Sequence, residues 1–455
     1  MRIPKKCKIG ILGVGVEGEA IAKHLKTNGY KDITLVDEKR DLSGFNETFN
    51  VIQGPKAFLE LDRFDFIFRS PGIHKDNKAL DNARKKGVRV ISSTMLFFDQ
   101  CPCPIIGITG TKGKGTTSTL IYKILQEAGA DVYLGGNIGE SPLTFLDKLK
   151  ESSFVVLELS SFQLHDLEKS PHIAVILKTT SEHLDYHKDL EEYLSAKENI
   201  ATHQSANDAV IANVDYPYHL RYLLKTPAKK YLVSQTRKPT NGAFAEKSVI
   251  YSVENNIKTA ICGIEEIGLR GPHNIENILA ACAACTYLKI RTQHMKKVFT
   301  AFTGLPHRLE FIKKVNGVEF YNDSFSTTPE TCIAAIKSFT EHEVLIAGGS
   351  EKNSDYTELG KAIVEQKNLI TVVLMGTTGP RIESAIKNAI QMSAFARRCP
   401  LKIIKAANYR EAFMAAYLEA GNEGIVLLSP ASASFDQFEN YKKRGETFRK
   451  WVESL

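Results

Sequence analysis

Three successive series of short aliphatic strands, each strand followed by a stretch of helical period, predict an α/β protein of three domains. Two glycine-rich turns, each placed directly between a strand and a helix, make the first two series candidates for nucleotide binding. A length of 455 residues also exceeds what one hydrophobic core organises. The first series runs KIGILGVG, the helical EAIAKHLKTNG, ITLVD, FDFIFRSPG and VRVIS, a doubly wound, Rossmann-like unit over 1–93. A second start at PIIGITGTKGKGTT, continued by FVVLEL, IAVILK and DAVIAN, gives a P-loop mononucleotide-binding core over 94–304. Residues 305–455 carry GVEFYNDS, EVLIAGG, LITVVLMG, LKIIKA and GIVLLSP, a third, Rossmann-like unit.

Composition narrows the function classes. With 43% hydrophobic and 24% charged residues and no repeat or low-complexity run, the chain is expected to fold throughout. The formal charge of +7 is scattered, apart from short clusters such as Lys442, Lys443 and Arg444, so it marks no nucleic-acid-binding stripe. It suits anionic small substrates and plain solubility equally. No apolar run approaches the roughly 20 residues that a membrane span requires. The apolar stretch after Lys8 is broken by Glu17 and Glu19, unlike a signal peptide, so the eight cysteines are expected reduced in a cytoplasm. Cys282 and Cys285 form a CxxC, but their Ala-rich setting from Leu279 reads as a buried helix rather than a metal pair.

Gly13, Gly15 and Gly18 make a GxGxxG directly after a strand, and Asp37 ends the next strand, matching the dinucleotide fingerprint. The physics requires only a tight turn and close backbone approach to a diphosphate. NAD, a UDP group and a close-packed turn without ligand all remain open. The second loop, Gly110-Thr111-Lys112-Gly113-Lys114-Gly115-Thr116-Thr117, opens a helix where backbone N–H groups and Lys114 can surround ATP phosphates. Gly115 takes the usual Ser/Thr position, so a Mg²⁺-binding hydroxyl comes from Thr116 or Thr117. Glu158, ending FVVLEL, is a second hard oxygen ligand at a strand's carboxyl end. For His183, Asp185 and His187, metal ligation and a polar loop both stay open. Lys197, in DLEEYLSAKENI, reads as a solvated helix face, because an ammonium cannot ligate Mg²⁺ unless its charge is removed.

These pieces occur together, in order, with GGNIG from Gly135, ELSSFQL from Glu158, HLDYH from His183, GPHNIEN from Gly271, GLPHRLE from Gly304 and NDS from Asn322. In that combination the chain resembles the Mur ligase family over nearly its whole length. The C-terminal LLSPASASFDQFENYKKRGETF resembles the D-glutamate-adding members, whereas the GKGT loop resembles folylpolyglutamate synthetase locally. The resemblance implies ATP-dependent ligation of D-glutamate to UDP-N-acetylmuramoyl-L-alanine through an acyl phosphate, by a monomer with two Mg²⁺ ions and with neither nucleic-acid nor membrane partners. It implies that Lys114 contacts the ATP phosphates, that Thr116 and Glu158 hold one Mg²⁺, and that His183 holds a second with Lys197 carbamylated. It further implies Asn277, Arg308 and Asp323 around ATP, and Asn137, Ser160 and Gln163 facing the UDP substrate. Val16, Glu17, Asp37, Glu38, Lys39 and Gly72 fall at uridine and diphosphate, and Thr327, Lys352, Ser434 and Tyr441 at D-glutamate. The domains are expected to close over the substrates.

Two departures stand out: Phe325 replaces a lysine of the family, and Glu182 replaces an aspartate before His183. The alternative functions are a ligase for another amino acid such as L-glutamate, a nucleotide-linked oxidoreductase, and a nucleotide-binding relative without turnover.

Overall fold

The computed structural model describes residues 3–180, 182–183, 186–351, 353–392 and 401–455. The chain divides into two compact units, one ending at Glu266 and including Glu276–Phe299, the other comprising Ile267–Ile275 and Thr300–Leu455. The first unit holds two sheets and the second holds one. Among the described residues, no helix is long and apolar enough to cross a membrane.

The first sheet contains β1 (Ile9–Leu12), β2 (Ile33–Asp37), β3 (Asn50–Gln53), β4 (Phe66–Arg69) and β5 (Arg89–Ser92) in the order β3-β2-β1-β4-β5, all parallel. β1 is buried at every position, as a strand covered on both faces must be. The order reverses between β1 and β4, so a crevice opens at their carboxyl ends, where the first glycine loop lies.

The second sheet contains β6 (Ile105–Thr109), β7 (Val132–Gly136), β8 (Phe154–Glu158), β9 (Ile173–Ile176), β10 (Ala209–Asn213), β11 (Lys229–Ser234), β12 (Gly242–Glu246), β13 (Val249–Glu254) and β14 (Ile257–Gly263). Their order is β14-β13-β12-β11-β10-β9-β6-β8-β7. Seven strands run parallel, and β13 and β14 add antiparallel hairpins at one edge. β6 lies between β8 and β9, so the ends of three strands surround the second glycine loop. Leu120, Ile121, Ile124 and Leu125 line the buried face of the helix Lys114–Glu127 that this loop opens.

One apolar cluster joins the two sheets of this unit: Ile11, Leu35 and Phe68 of the first connect through Leu96 and Phe97 to Phe145, Val155 and Leu157 of the second. Polar contacts reinforce the seam. Arg69, with no solvent exposure, donates through Nη2 to Asp166 Oδ2 at 2.7 Å and through Nη1 to the carbonyls of Ile73, Ser70 and Pro71. Cys282 and Cys285 lie within the helix Pro272–Tyr287, where Ile278 through Cys285 are all buried, and burial pushes both thiols up, Cys282 to about 12.

The third sheet orders β15 (Glu310–Val315), β16 (Val318–Asn322), β17 (Glu343–Gly348), β18 (Leu369–Met375), β19 (Lys402–Lys405) and β20 (Ile425–Leu428) as β15-β16-β20-β17-β18-β19. Only β15 is antiparallel to its neighbour. β20 returns between β16 and β17, which brings the loops after these three strands to one edge.

Arg69→Ala should destabilise the first unit by about 3 kcal/mol in urea unfolding, because it strands the Asp166 carboxylate and several carbonyls together. Arg69→Lys should recover little, since one ammonium cannot reach all these acceptors; a wild-type midpoint in either variant would refute this role.

Candidate active site

The second glycine loop owes its shape to close approaches that exclude a side chain. Gly110 and Gly113 have φ of +149° and +87°, and a Cβ on Gly113 would meet Asn277 Oδ1 at 2.2 Å. Asn277 Oδ1 also accepts from Thr117 Oγ1 at 3.4 Å, so Asn277 and Thr117 brace the loop from below. Thr111 is buried, and its hydroxyl meets Tyr193 OH and Thr180 O at 2.9 Å each, tying the loop to the chain beyond β9. Thr111 and Thr117 are therefore internal braces, while Thr116 stands half-buried in the helix's first turn. Lys112 is exposed and pairs with Glu182 at 2.5 Å. Gly115 is buried.

Two lysines converge on one carbonyl. Lys114 Nζ donates to Gly110 O and Thr111 O at 3.0 Å each, and Lys197 Nζ donates to the same Gly110 O at 3.1 Å and to Thr109 Oγ1 at 3.3 Å. Lys197 is 1% exposed, which corrects its reading as a solvated helix residue. The helix Leu190–Thr202 turns Tyr193, Leu194, Lys197, Ile200 and Ala201 inward together. Burial, followed by the charge of Lys114, holds the Lys197 ammonium well below its ordinary range, against smaller opposing effects of Glu182 and Glu158. Both effects favour the uncharged amine over the ammonium.

Glu158, at the end of β8, is 6% exposed and accepts from Asn137 Nδ2 at 3.1 Å, while its carbonyl accepts from Asn137 N at 2.9 Å. His183 lies beyond β9 with φ +59°, exposed, its ring 4.9 Å from that of Phe162. Asp185 lies outside the described residues. His187, the second histidine of that motif, is buried, with Nε2 2.9 Å from Ser161 Oγ. Thr116, Glu158, His183 and Lys197 thus belong to the carboxyl edge of one sheet. A helix N-terminus with two amines gathered on the preceding loop fits a polyphosphate, and the hydroxyl and carboxylate oxygens fit Mg²⁺.

At the seam with the first sheet, Ser160 and Gln163 form a capping box, with Ser160 N donating to Gln163 Oε1 at 3.0 Å. Gln163 Nε2 then donates to Glu17 Oε1 at 2.9 Å, and Ser93 Oγ donates to Glu17 Oε2. Burial raises the Glu17 carboxyl despite these donors. In the first glycine loop, Gly18 has room only for hydrogen, since a Cβ would lie 2.5 Å from Gly13 O. Asp37 is turned onto its own loop, accepting from Val14 N, Lys39 N and Arg40 N at 2.9, 2.9 and 3.0 Å. Burial raises its pKa, but the three backbone donors outweigh that and hold it low. Val16, Glu38, Lys39 and Gly72 are exposed around this crevice. Sequence reasoning missed Arg40, whose guanidinium reaches Val14 O and Glu19 Oε1 beside the glycine turn.

In the second unit, Asp323 follows β16, buried, and accepts from Ser429 Oγ at 2.8 Å, Leu309 N at 3.1 Å and Ser326 Oγ. Burial pushes its carboxyl up to about 6, against the pull of these donors and of Arg308. The Arg308 guanidinium lies 3.6 Å from the Phe325 ring centroid, so the residue replacing a lysine serves as a platform for a neighbouring cation. Tyr441 meets Phe325 edge-on at 5.1 Å. Arg444, which the sequence groups with Lys442 and Lys443 in a short basic cluster, is 1% exposed. It donates to Ser324 Oγ, Ser324 O, Ala433 O and Ser432 O at 3.0–3.1 Å, binding the loop after β16 to the loop after β20 that carries buried Ser434. Thr327 is half-buried, and Lys352 lies outside the described residues.

Residues 7–92 match the Mur ligase MurD-like N-terminal domain, 108–285 the Mur ligase middle domain, and 307–432 the Mur ligase glutamate ligase domain. Curated relatives include the UDP-N-acetylmuramoylalanine–D-glutamate ligase of Acetivibrio thermocellus, 38% identical over 99% of this chain and 97% of the relative. The ligase of the same name from Ruminiclostridium cellulolyticum is 36% identical over the same shares. Among solved structures, the UDP-N-acetylmuramate-alanine ligase MurC of Thermotoga maritima superposes with a TM-score of 0.61 at 16% identity, covering 98% of this chain and 99% of that one. The MurF ligase of Thermotoga maritima in complex with ADP gives 0.57 at 17%, covering 99% and 96%. At those identities the two structures establish the shared fold.

Gly113→Ala should weaken binding of an ATP analogue at least tenfold by calorimetry, and adding Asn277→Ala should not restore it because the positive φ persists. Asp323 gives a second expectation. Its folded pKa lies above the ordinary 3.8, so the protonated folded form is favoured and stability is lost as pH rises through about 6. Between about pH 5 and 7.5, wild type should lose about 1 kcal/mol relative to Asp323→Asn in urea unfolding; parallel pH curves would show that Asp323 titrates normally.

Proposed function

This chain belongs to the Mur ligase family, and from that premise we propose that it joins D-glutamate to the carboxylate of UDP-N-acetylmuramoyl-L-alanine at the expense of ATP. The reaction is a step of peptidoglycan precursor synthesis and so serves cell-wall biogenesis, cell shape and division. The observation that carries the chemistry is the convergence of Lys114 and buried Lys197 on the carbonyl of Gly110. The choice of D-glutamate rests on near full-length likeness to ligases of that name.

A carboxylate is a poor electrophile at neutral pH. Transfer of the γ-phosphoryl group to it creates an acyl phosphate, the amine of D-glutamate attacks the carbonyl carbon, and the tetrahedral intermediate expels phosphate as the amide forms. The backbone of Gly110–Thr117 holds the polyphosphate, and Lys114 exchanges its loop carbonyls for phosphate oxygens, neutralising charge as it passes to the acceptor. Asn277, Arg308 and Asp323 are assigned to adenine, phosphate and ribose. Arg308 presents its planar fork from the Phe325 ring.

Two Mg²⁺ ions, when bound, would neutralise the phosphates and polarise the transferred group. Thr116 and Glu158 would hold one, and His183 with Lys197 the other. Lys197 can do so once its neutral amine adds to carbon dioxide: an N–C bond forms, a proton leaves, and the side chain becomes a carbamate anion.

Residues 1–93 are assigned to the UDP group through Val16, Glu17, Asp37, Glu38, Lys39 and Gly72, and 94–304 to ATP and, through Asn137, Ser160 and Gln163, the rest of that substrate. Residues 305–455 take D-glutamate through Thr327, Lys352, Ser434 and Tyr441. The enzyme acts as a cytoplasmic monomer.

Phosphate release with ATP, Mg²⁺ and UDP-N-acetylmuramoyl-L-alanine should depend on D-glutamate and not on L-glutamate, L-alanine or diaminopimelate. Lys197→Ala should reduce turnover at least a hundredfold with unchanged circular dichroism. Release driven by a different amino acid would reassign specificity, and no release with any would refute the ligase reading.

A further inference from the structure

A second group of metal-binding side chains assembles at the seam between the two sheets of the first unit. His74 lies in the loop after β4, His165 directly follows the short helix Ser161–Leu164, and Glu192 stands in the first turn of the helix Leu190–Thr202. One ligating atom from each lies within 4.8 Å of the others. His165 Nε2 and His74 Nε2 are 3.6 and 3.9 Å from the same Glu192 Oε1, too long for hydrogen bonds. They stand only slightly wider than the roughly 3.3 Å edge of a tetrahedron with bonds of about 2.0 Å to zinc.

Two further observations point to an ion. His165 is 7% exposed, its buried Nδ1 has no hydrogen-bond partner among the described residues, and its Nε2 faces Glu192 Oε1 at 3.6 Å. Buried imidazoles in folded proteins nearly always have a partner. The segments bearing the three ligands are also fixed to one another by separate bonds. Arg69 joins the His74 loop, at Ile73 O, to Asp166 beside His165. Asn199 Nδ2 donates to Leu164 O at 2.8 Å, anchoring His165 to the helix of Glu192, and Lys188 N fixes Glu192 Oε2 at 2.7 Å.

We propose that His74, His165 and Glu192 bind one divalent transition ion of the zinc class, which pins the His74 loop of the first sheet to the helix carrying Glu192. Two imidazoles and one carboxylate suit zinc, cobalt or nickel, whereas Mg²⁺ takes oxygen donors. The fourth position falls to water on the His74 side, where that side chain is 24% exposed. Asp76 N donates to His74 Nδ1 at 3.2 Å, placing the ring proton on Nε2. Ligation through Nε2 moves the proton to Nδ1, which gives up the bond from Asp76 N, and the Asp76 carboxylate lies 3.9 Å from that nitrogen. The ion replaces the exposed Lys188 ammonium, which lies 3.9 Å from Glu192 Oε1 and 3.8 Å from Asp76 Oδ2.

The test is titration of chelator-stripped full-length protein with Co²⁺, without nucleotide and with excess Mg²⁺, reading the visible absorption of tetrahedral cobalt. Wild type should bind one equivalent, Zn²⁺ should displace it, and Zn²⁺ should raise the thermal midpoint. His74→Ala, which leaves both more buried ligands in place, and Glu192→Gln should each weaken binding at least tenfold and abolish the Zn²⁺-dependent rise. Absence of the band in wild type, or an unchanged band and affinity in both variants, would overturn the proposal, and neither outcome depends on ligase turnover.

Discussion

The carbonyl of Gly110 accepts from two lysine side chains, one of them withdrawn from solvent, and much of the second sheet is arranged around that fact. Two ammonium groups sharing one acceptor repel each other, in addition to the cost of burying either charge. Burial and the neighbouring Lys114 charge both disfavour the Lys197 ammonium, while Lys114 stays bonded to the loop carbonyls. Thr111 and Tyr193 lock the loop to the strand and helix on either side, so the carbonyl stays fixed whichever amine it serves. Gly110 and Gly113 are required because the backbone must turn with positive φ against Leu177 and Asn277.

The strand series and both glycine loops were legible because fully buried parallel strands leave uninterrupted aliphatic runs, and because a turn that approaches a phosphate closely admits only glycine. Lys197 was not, since a lysine at a helical position is ordinarily solvated. A usable signal existed in its spacing from Tyr193, Ile200 and Ala201, which places it on the apolar stripe. Arg444 is the same case: Lys442 and Lys443 make it look like a surface charge, but Phe448 and Val452 follow at intervals of four on its face. Asp37 shows the opposite limit. The fingerprint position was correctly seen at the strand end, yet its carboxylate closes its own loop through backbone donors, a use that no residue pattern distinguishes from ribose binding.

Cross-links at the seam of the first unit share one logic. Glu17 gathers Ser93 and Gln163, and Arg69 gathers Asp166 with three loop carbonyls, so each charge is buried with several partners instead of one. These contacts join residues far apart in sequence, and their partners become evident only once the sheets are placed. Arg444 performs the corresponding task in the second unit, where four hydrogen bonds hold the loops after β16 and β20 in register. In both units a buried guanidinium orders the loops.

The central claim is that burial beside Lys114 converts Lys197 from a cation into a nucleophile that captures carbon dioxide. Carbon-13 NMR of the protein equilibrated with labelled bicarbonate tests it directly. The account predicts one slowly exchanging carbamate resonance in wild type that is absent from Lys197→Ala and retained in Lys114→Ala. A wild-type spectrum without that resonance, or one in which it survives removal of Lys197, would contradict it.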